Sequence, residues 1–180
     1  MPVLSSNNQK ILLDLARQSI QEYLATGNAL QYQTGAEELL QPAGCFVTLR
    51  KEGHLRGCVG TFNRKEALVR NLLRMAVASA AQDPRFPPVS KPELDLIRIE
   101  ISVLGPPEKV NSLEEIMLGK HGIYVKLGAR TGTFLPEVAV EQNWSVPEFV
   151  MTCAREKAGL GPEEIAHAEI YRYEVQKFKE

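Results

Sequence analysis

Little in this chain announces a metal centre, a disulfide scaffold or a membrane span. It has three cysteines, Cys45, Cys58 and Cys153, odd in number, far apart and without a Cys-x-x-Cys pair. Neither a disulfide framework nor a structural zinc site is signalled. The histidines, His54, His121 and His167, are equally scattered, so no metal set is expected. A formal net charge of −1 gives no electrostatic footprint for nucleic acid or an anionic membrane surface. No apolar run approaches the roughly 20 residues that cross a bilayer. The opening MPVLSSNNQK lacks the basic-then-apolar layout of a secretory signal, so the expected setting is cytoplasmic. Repeats, low-complexity segments and a Gly-Lys-Ser/Thr phosphate loop are missing too.

What remains is an ordinary globular composition: 180 residues, 44% hydrophobic and 24% charged. That is enough for one sizeable core or two small lobes. Residues 7–26 carry apolar positions at helical spacing, and Gly27 suits the position just past a helix end. Gly44–Lys51 and His54–Thr61 read as a hairpin turned at Glu52–Gly53. Asn63 and Glu66 resemble a capping box that opens a helix to Ala81. The prolines of Asp83–Val89 exclude a helix there. Leu96–Leu104 alternates with Ile97, Ile99, Ile101 and Val103 on one face, the clearest strand pattern in the chain.

Gly105–Pro106–Pro107 then breaks the chain, and a boundary between two lobes is expected there. Beyond it, Ser112 and Glu115 cap a short helix ending near Gly119. A hairpin joins Gly122–Leu127 to Thr133–Leu135 through the loop GARTG, and residues 136–143 are helical. Ser145 and Glu148 cap a helix from Pro147 to Ala158, and Glu169–Phe178 alternates as a returning strand. The order lacks βαβ periodicity, so the predicted class is α+β: two-lobed, with a mainly antiparallel sheet, flanking helices and a smaller second lobe. The larger lobe takes about 1–104 plus 169–178, the smaller about 105–168.

The stretch GHLRGCVGTF, Gly53–Phe62, has strand-like apolar content yet three glycines in ten residues. Strict alternation puts His54, Arg56, Cys58 and Gly60 on one face. Arg56 would then lie roughly 6.6 Å along the strand from Cys58 and favour its thiolate, the nucleophilic form. Gly57 and Gly60 would admit a ligand to the backbone, with Thr61 beside it. The N–H groups of the Asn63-capped helix would add positive potential. A plainer reading competes: cysteine is often a buried packing residue, strand glycines often mark a bulge, and Arg56 pairs with a surface carboxylate. Secondary candidates are His121 as acid or base, Asp83 and Arg85 as a turn-capping ion pair or cleft lining, and Glu137 and Glu141 four apart on a helix. Trp144, Cys45 and Cys153 read as packing residues.

Several of these segments together resemble a known family. LRGCVGTF (Leu55–Phe62) is similar to the AMMECR signature LRGCIGTF. The likeness continues through DPRFPP (Asp83–Pro88), ISVLGPPEKV (Ile101–Val110), HGI (His121–Ile123), FLPEVAVEQNW (Phe134–Trp144) and CAREKAGL (Cys153–Leu160). The family is also called protein A of the AmmeMemoRadiSam system. The resemblance implies an α+β fold with two lobes about a cleft lined by the signature strand. The positions onto which it transfers a site are Arg56, Gly57, Cys58 and Gly60; with the candidates read from the residues, the expected ligand-binding set is Arg56, Gly57, Gly60, Thr61, Asp83, Arg85 and Glu137, and the expected catalytic pair Cys58 and His121. It implies Memo-like and radical-SAM proteins as partners and names neither a cofactor nor a substrate. Two positions depart from the pattern: Glu137 replaces glutamine, and Asn143 replaces glycine. If Glu137 contacts a ligand, its charge weakens an anion site.

Three functions follow. Cys58 is the nucleophile of an enzyme acting on a small anionic substrate, with His121 as acid or base. Alternatively the chain is a non-catalytic adaptor or metabolite-binding module for the partners. A nucleic-acid role ranks last on charge, leaving only a local patch of Arg64, Lys65, Arg70 and Arg74 to argue for it.

Overall fold

A computed structural model describes residues 3–180. The chain divides into two compact units, one holding residues up to Leu104 together with Gln176–Glu180, the other Gly105–Val175. Both are built of antiparallel strands with helices, an α+β architecture.

In the first unit, α1 (Ser6–Thr26) starts where the Ser5 hydroxyl accepts from the Asn8 N–H and stops at Gly27, whose φ of 76° is left-handed. Strands β1 (Cys45–Lys51) and β2 (His54–Thr61) form a hairpin. Its turn residues, Glu52 and Gly53, both have positive φ, 51° and 81°, the requirement of a tight turn that follows strand twist. Strand β3 (Ile97–Leu104) pairs with the other edge of β1. Val47, Leu49, Ile99 and Ile101 are fully buried in one cluster with Leu12 and Ile20 of α1 and Leu72 of helix α3 (Leu68–Ala81). Two single-turn helices, α2 (Glu37–Leu40) and α4 (Lys91–Leu94), complete the unit. Ser90 and Glu93 form a capping box at α4, and the sequence reading passed over both of these short helices.

One expected helix start is wrong. Asn63 does not cap α3, which begins at Leu68 after Ala67 and has no side-chain cap. The Asn63 carboxamide instead accepts from the Lys65 N–H, a local turn. Glu66 pairs with Arg74, and the Leu68 N–H goes to the Gln41 carbonyl. The short polar side chain found a nearer backbone donor than a helix would have offered. The positive potential expected beyond Gly60 therefore has no helix start at Asn63 to supply it.

In the second unit, β5 (His121–Leu127) and β6 (Arg130–Phe134) turn through Gly128–Ala129, so most of the expected GARTG loop is strand. The last strand, β7 (Glu169–Lys179), pairs with β5 and with the short β4 (Glu108–Lys109). The helix expected up to Gly119 is only a 3₁₀ turn, Leu113–Glu115, capped by Ser112 and Glu115. Helix α5 (Pro136–Glu141) is followed by α6 (Val146–Thr152). The latter widens into a π turn, Cys153–Lys157, where the Ala158 N–H reaches the Cys153 carbonyl. A Cβ on Gly132 would strike that turn, so glycine lets the two backbones meet. A last single turn, α7 (Pro162–Ile165), precedes β7. Phe134 sits in the core between Phe149, 5.9 Å away and stacked, and Trp144 at 5.7 Å.

Candidate functional site

The signature strand β2 lies at one edge of its sheet, and its register with β1 shifts between Leu49 and Arg50. Leu49 faces Gly57 while Arg50 faces Leu55, so Arg56 is the extra residue of a β-bulge. The bulge overturns the face assignment that strict alternation gave. The Arg56 guanidinium reaches Glu93 of α4 with two hydrogen bonds, 2.8 and 3.0 Å, and does not serve Cys58. Lys51 joins the same carboxylate at 3.2 Å. Arg56, helped by Lys51 and against burial, holds the Glu93 carboxyl at about 2, well below its usual 4.5. Arg56 is thus a structural tie between the bulge and α4.

The two glycines are explained by the protein's own atoms. A Cβ on Gly57 would collide with the Ser79 carbonyl oxygen of α3, and one on Gly60 with the Phe46 ring. The space that the sequence reading gave to a ligand is filled. Ser79 also enters the strand ladder: its hydroxyl accepts from the Val59 N–H at 2.9 Å and donates to the Val47 carbonyl at 2.7 Å. Thr61 uses its hydroxyl to accept from the Asn63 N–H.

Cys58 itself is half-buried and sits opposite Thr48, its Sγ 3.3 Å from the Thr48 hydroxyl. The same register row continues to Glu100 on β3. Glu100 is buried between Arg50 at 2.9 Å and Lys177 at 3.1 Å. Burial pushes its carboxyl pKa up, but the two cations outweigh it and the net direction is down.

The proline loop is clamped onto the outer edge of Cys58. Asp83 Oδ2 accepts from the Cys58 N–H at 2.8 Å, while Arg85 Nη2 donates to the Cys58 carbonyl at 3.0 Å. Asp83 and Arg85 join through Nε–Oδ1 and Nη2–Oδ2 bonds of 2.9 and 2.7 Å. The Arg85 N–H adds a turn bond to Asp83 at 3.1 Å. Every edge group of residue 58 is therefore paired, which closes an otherwise adhesive strand edge. Arg85, with the Cys58 amide behind it, holds Asp83 at about 2 against burial. The Cys58 thiol is in turn among the groups that raise the Arg85 pKa, so the cation beside the sulfur is Arg85. Half of the Arg85 side chain is exposed, and the guanidinium also hydrogen-bonds the Cys58 side chain.

With the bulge and clamp located, a sequence model described as AMMECR1 is found to match residues 13–178. The chain is a member of the AMMECR1 family. Protein MK0488 of Methanopyrus kandleri is 39% identical over 98% of this chain and 90% of its own. A protein of Methanothermobacter thermautotrophicus is also 39% identical, over 98% and 96%. The crystal structure of the uncharacterized protein PH0010 from Pyrococcus horikoshii superposes with a TM-score of 0.92 at 34% identity, covering 98% of this chain and 93% of that one.

The remaining site residues of this AMMECR1-family chain lie in the second unit, so Cys58 and His121 belong to different units. His121 opens β5, is 5% exposed, and accepts the Met117 N–H on Nδ1 at 3.0 Å. Burial, then Arg172 and Lys120, lower its pKa from 6.5. Glu137 stands in the first turn of α5 and is half-buried. Asn143 has φ of 54°, a left-handed conformation asparagine tolerates. No group of three or more metal-ligating side chains occurs among the described residues. None of the described helices is long and apolar enough to cross a membrane.

The sequence reading missed Thr48, Ser79, Glu93 and Glu100. Thr48 was hidden by the bulge: regular pairing about Glu52–Gly53 sets Val47 opposite Cys58, and the extra residue Arg56 moves Thr48 there. The long-range partners Ser79, Glu93 and Glu100 left no local signal.

Proposed function

We propose that this AMMECR1-family protein is a cysteine-dependent enzyme whose nucleophile is Cys58 and whose substrate is a small molecule carrying an anionic group. The observation that carries the reading is the half-exposed Arg85 guanidinium, fixed against Cys58 by Asp83. A cation beside a half-exposed thiol favours the thiolate, and a guanidinium offers the planar donors that anions accept. Thr48 supplies a hydroxyl at the sulfur. The other two cysteines are unsuited: Cys45 and Cys153 are fully buried, and burial pushes both thiols up to about 12.

Alkylation with iodoacetamide at neutral pH, followed by peptide mass spectrometry, tests this. The expected result is a fast single adduct at Cys58 and a rate several-fold lower in Arg85→Ala. Equal rates in the two chains, or a Cys58 slower than a free thiol, would overturn the reading.

A second reading is a non-catalytic module that holds a metabolite or a Memo-like or radical-SAM partner. Its support is that Asp83, the carboxylate clamped to residue 58, is held at about 2 and so stays ionised at neutral pH with no proton to give. The named partners rest on family resemblance. Unchanged co-purification with them in both Cys58→Ser and Cys58→Ala, with unchanged cellular output, would favour this reading over the enzyme.

A further inference from the structure

The second unit holds a cavity of about 280 Å³ that owes nothing to Cys58. His121, Lys120, Glu108, Arg172 and Glu174 line it, with Gly105, Pro106 and Met117 among the walls. Glu174 faces His121 across the β5–β7 ladder, and Glu108 faces Arg172 across β4–β7. The charged groups therefore stand in adjacent rows of one small sheet. They also cancel: two carboxylates, two cations and an imidazole.

The imidazole is the informative member. Its Nδ1 accepts from the Met117 backbone N–H, so in the neutral ring the proton resides on Nε2. No described residue pairs with Nε2, although the side chain is 5% exposed. Nor is Nε2 among the sealed polar atoms of the structure, so it keeps access to the cavity. A buried donor with a fixed tautomer and an open face wants an acceptor oxygen.

The cations are only loosely spent. Arg172 meets Glu108 through two long bonds of 3.3 and 3.4 Å, while its Nη1 is fixed by the Glu115 carbonyl at 2.5 Å. The guanidinium is thus anchored at one corner and exchangeable at its other edge. Lys120 and Glu174 form a half-exposed pair at 3.0 Å, cheap to rearrange. A doubly charged anion such as phosphate would meet Glu108 and Glu174. A pure cation would meet Lys120 and Arg172. A ligand with one charge of each sign meets complementary partners at both ends.

We propose that this cavity is a binding site for a small zwitterion of the α-amino-acid type, its carboxylate accepting from His121 Nε2 and Arg172 and its ammonium lying beside Glu108 and Glu174.

The test uses the full chain labelled with ¹⁵N, following the His121 ring nitrogens by NMR. Each of the twenty L-amino acids is titrated in turn, with acetate, methylammonium and inorganic phosphate as single-sign controls. The expected result is a saturable shift of Nε2 with at least one amino acid and none with the controls at equal concentration. Binding to His121→Phe, followed through the backbone amide signals of the same labelled chain, should then be about tenfold or more weaker for that amino acid, the loss of a hydrogen bond to a charged group. His121→Gln, which keeps an N–H donor near the Nε2 position, should recover part of it. Absence of any shift, or phosphate or acetate binding as tightly as the amino acids, would overturn the proposal. So would undiminished binding in a folded His121→Phe chain.

Discussion

The two regions that carry chemistry solve opposite problems. Around Cys58 the reactive group is half-exposed and the protein has spent its charges on the backbone: Asp83 and Arg85 hold the residue 58 amide and carbonyl from outside the sheet. Around His121 the reactive group is buried, a backbone amide fixes one ring nitrogen, and the charges line a cavity instead. In both, a strand glycine next to the group lets another part of the chain close in. At Gly57 that part is a helix carbonyl, and at Gly122 the ring of Tyr173. The difference teaches that glycine in such a motif is no proof of ligand access. Each of these glycines is filled from within.

The largest expected effect separates the two glycines. A methyl at Gly57 meets backbone that belongs to α3 and cannot swing aside. Gly57→Ala should therefore cost about 3 kcal/mol, at the upper end of overpacking effects. Gly122→Ala meets a side chain, but a buried one tied by Thr133 and the Phe134 carbonyl, and should cost about 2 kcal/mol. Urea unfolding of both variants checks the order. A Gly122 variant less stable than the Gly57 variant would break the comparison between backbone and side-chain obstruction.

Next in size is the clamp. Asp83→Asn removes the charge that orients Arg85 and weakens the bond to the Cys58 N–H, and about 1–2 kcal/mol of stability should go with it. Half of Arg85 is exposed, so solvent screens part of that pair. The variant should also alkylate at Cys58 with an altered rate, whereas Glu141→Gln, on the exposed end of α5, should leave both readings unchanged.

The smallest effect is in acid. Asp83 and Glu93 sit at about 2 in the folded chain, against ordinary values of 3.8 and 4.5. Their stabilisation is full above the unfolded values and disappears as the pH falls from about 4.5 towards 2. His121 has a lowered pKa, so its neutral form suits the fold and the penalty sets in as the pH drops below 6.5. The urea midpoint measured against pH should thus fall in two windows. His121→Phe should flatten only the upper one, and Glu93→Gln only the lower.

Much of the fold could be read along the chain. The 3.6-residue period of α1 with Gly27 at its end, the positive-φ pair Glu52–Gly53 and the alternating Ile97–Val103 are local signals, and each element formed where it was expected. Reading failed where local and tertiary demands competed. Asn63 and Glu66 look like a cap, yet the Leu68 N–H had a partner in Gln41 and the cap moved four residues on, to Ala67. The single-turn helices α2, α4 and α7 are too short to show a period.

The site divides in the same way. Sequence alone determined that Cys58 would stand on a strand beside a glycine-bearing hairpin turn, that the proline loop could not be helix, and that the chain is a member of the AMMECR1 family. Only the tertiary structure decided which arginine meets the sulfur. One extra residue in β2 turned Arg56 away to Glu93, and a loop 27 positions along the chain brought Arg85 to the Cys58 carbonyl instead. Alternation is a property of a regular strand and is written in sequence. A bulge and a long-range ion pair are set by what packs against the strand, and no local pattern records that.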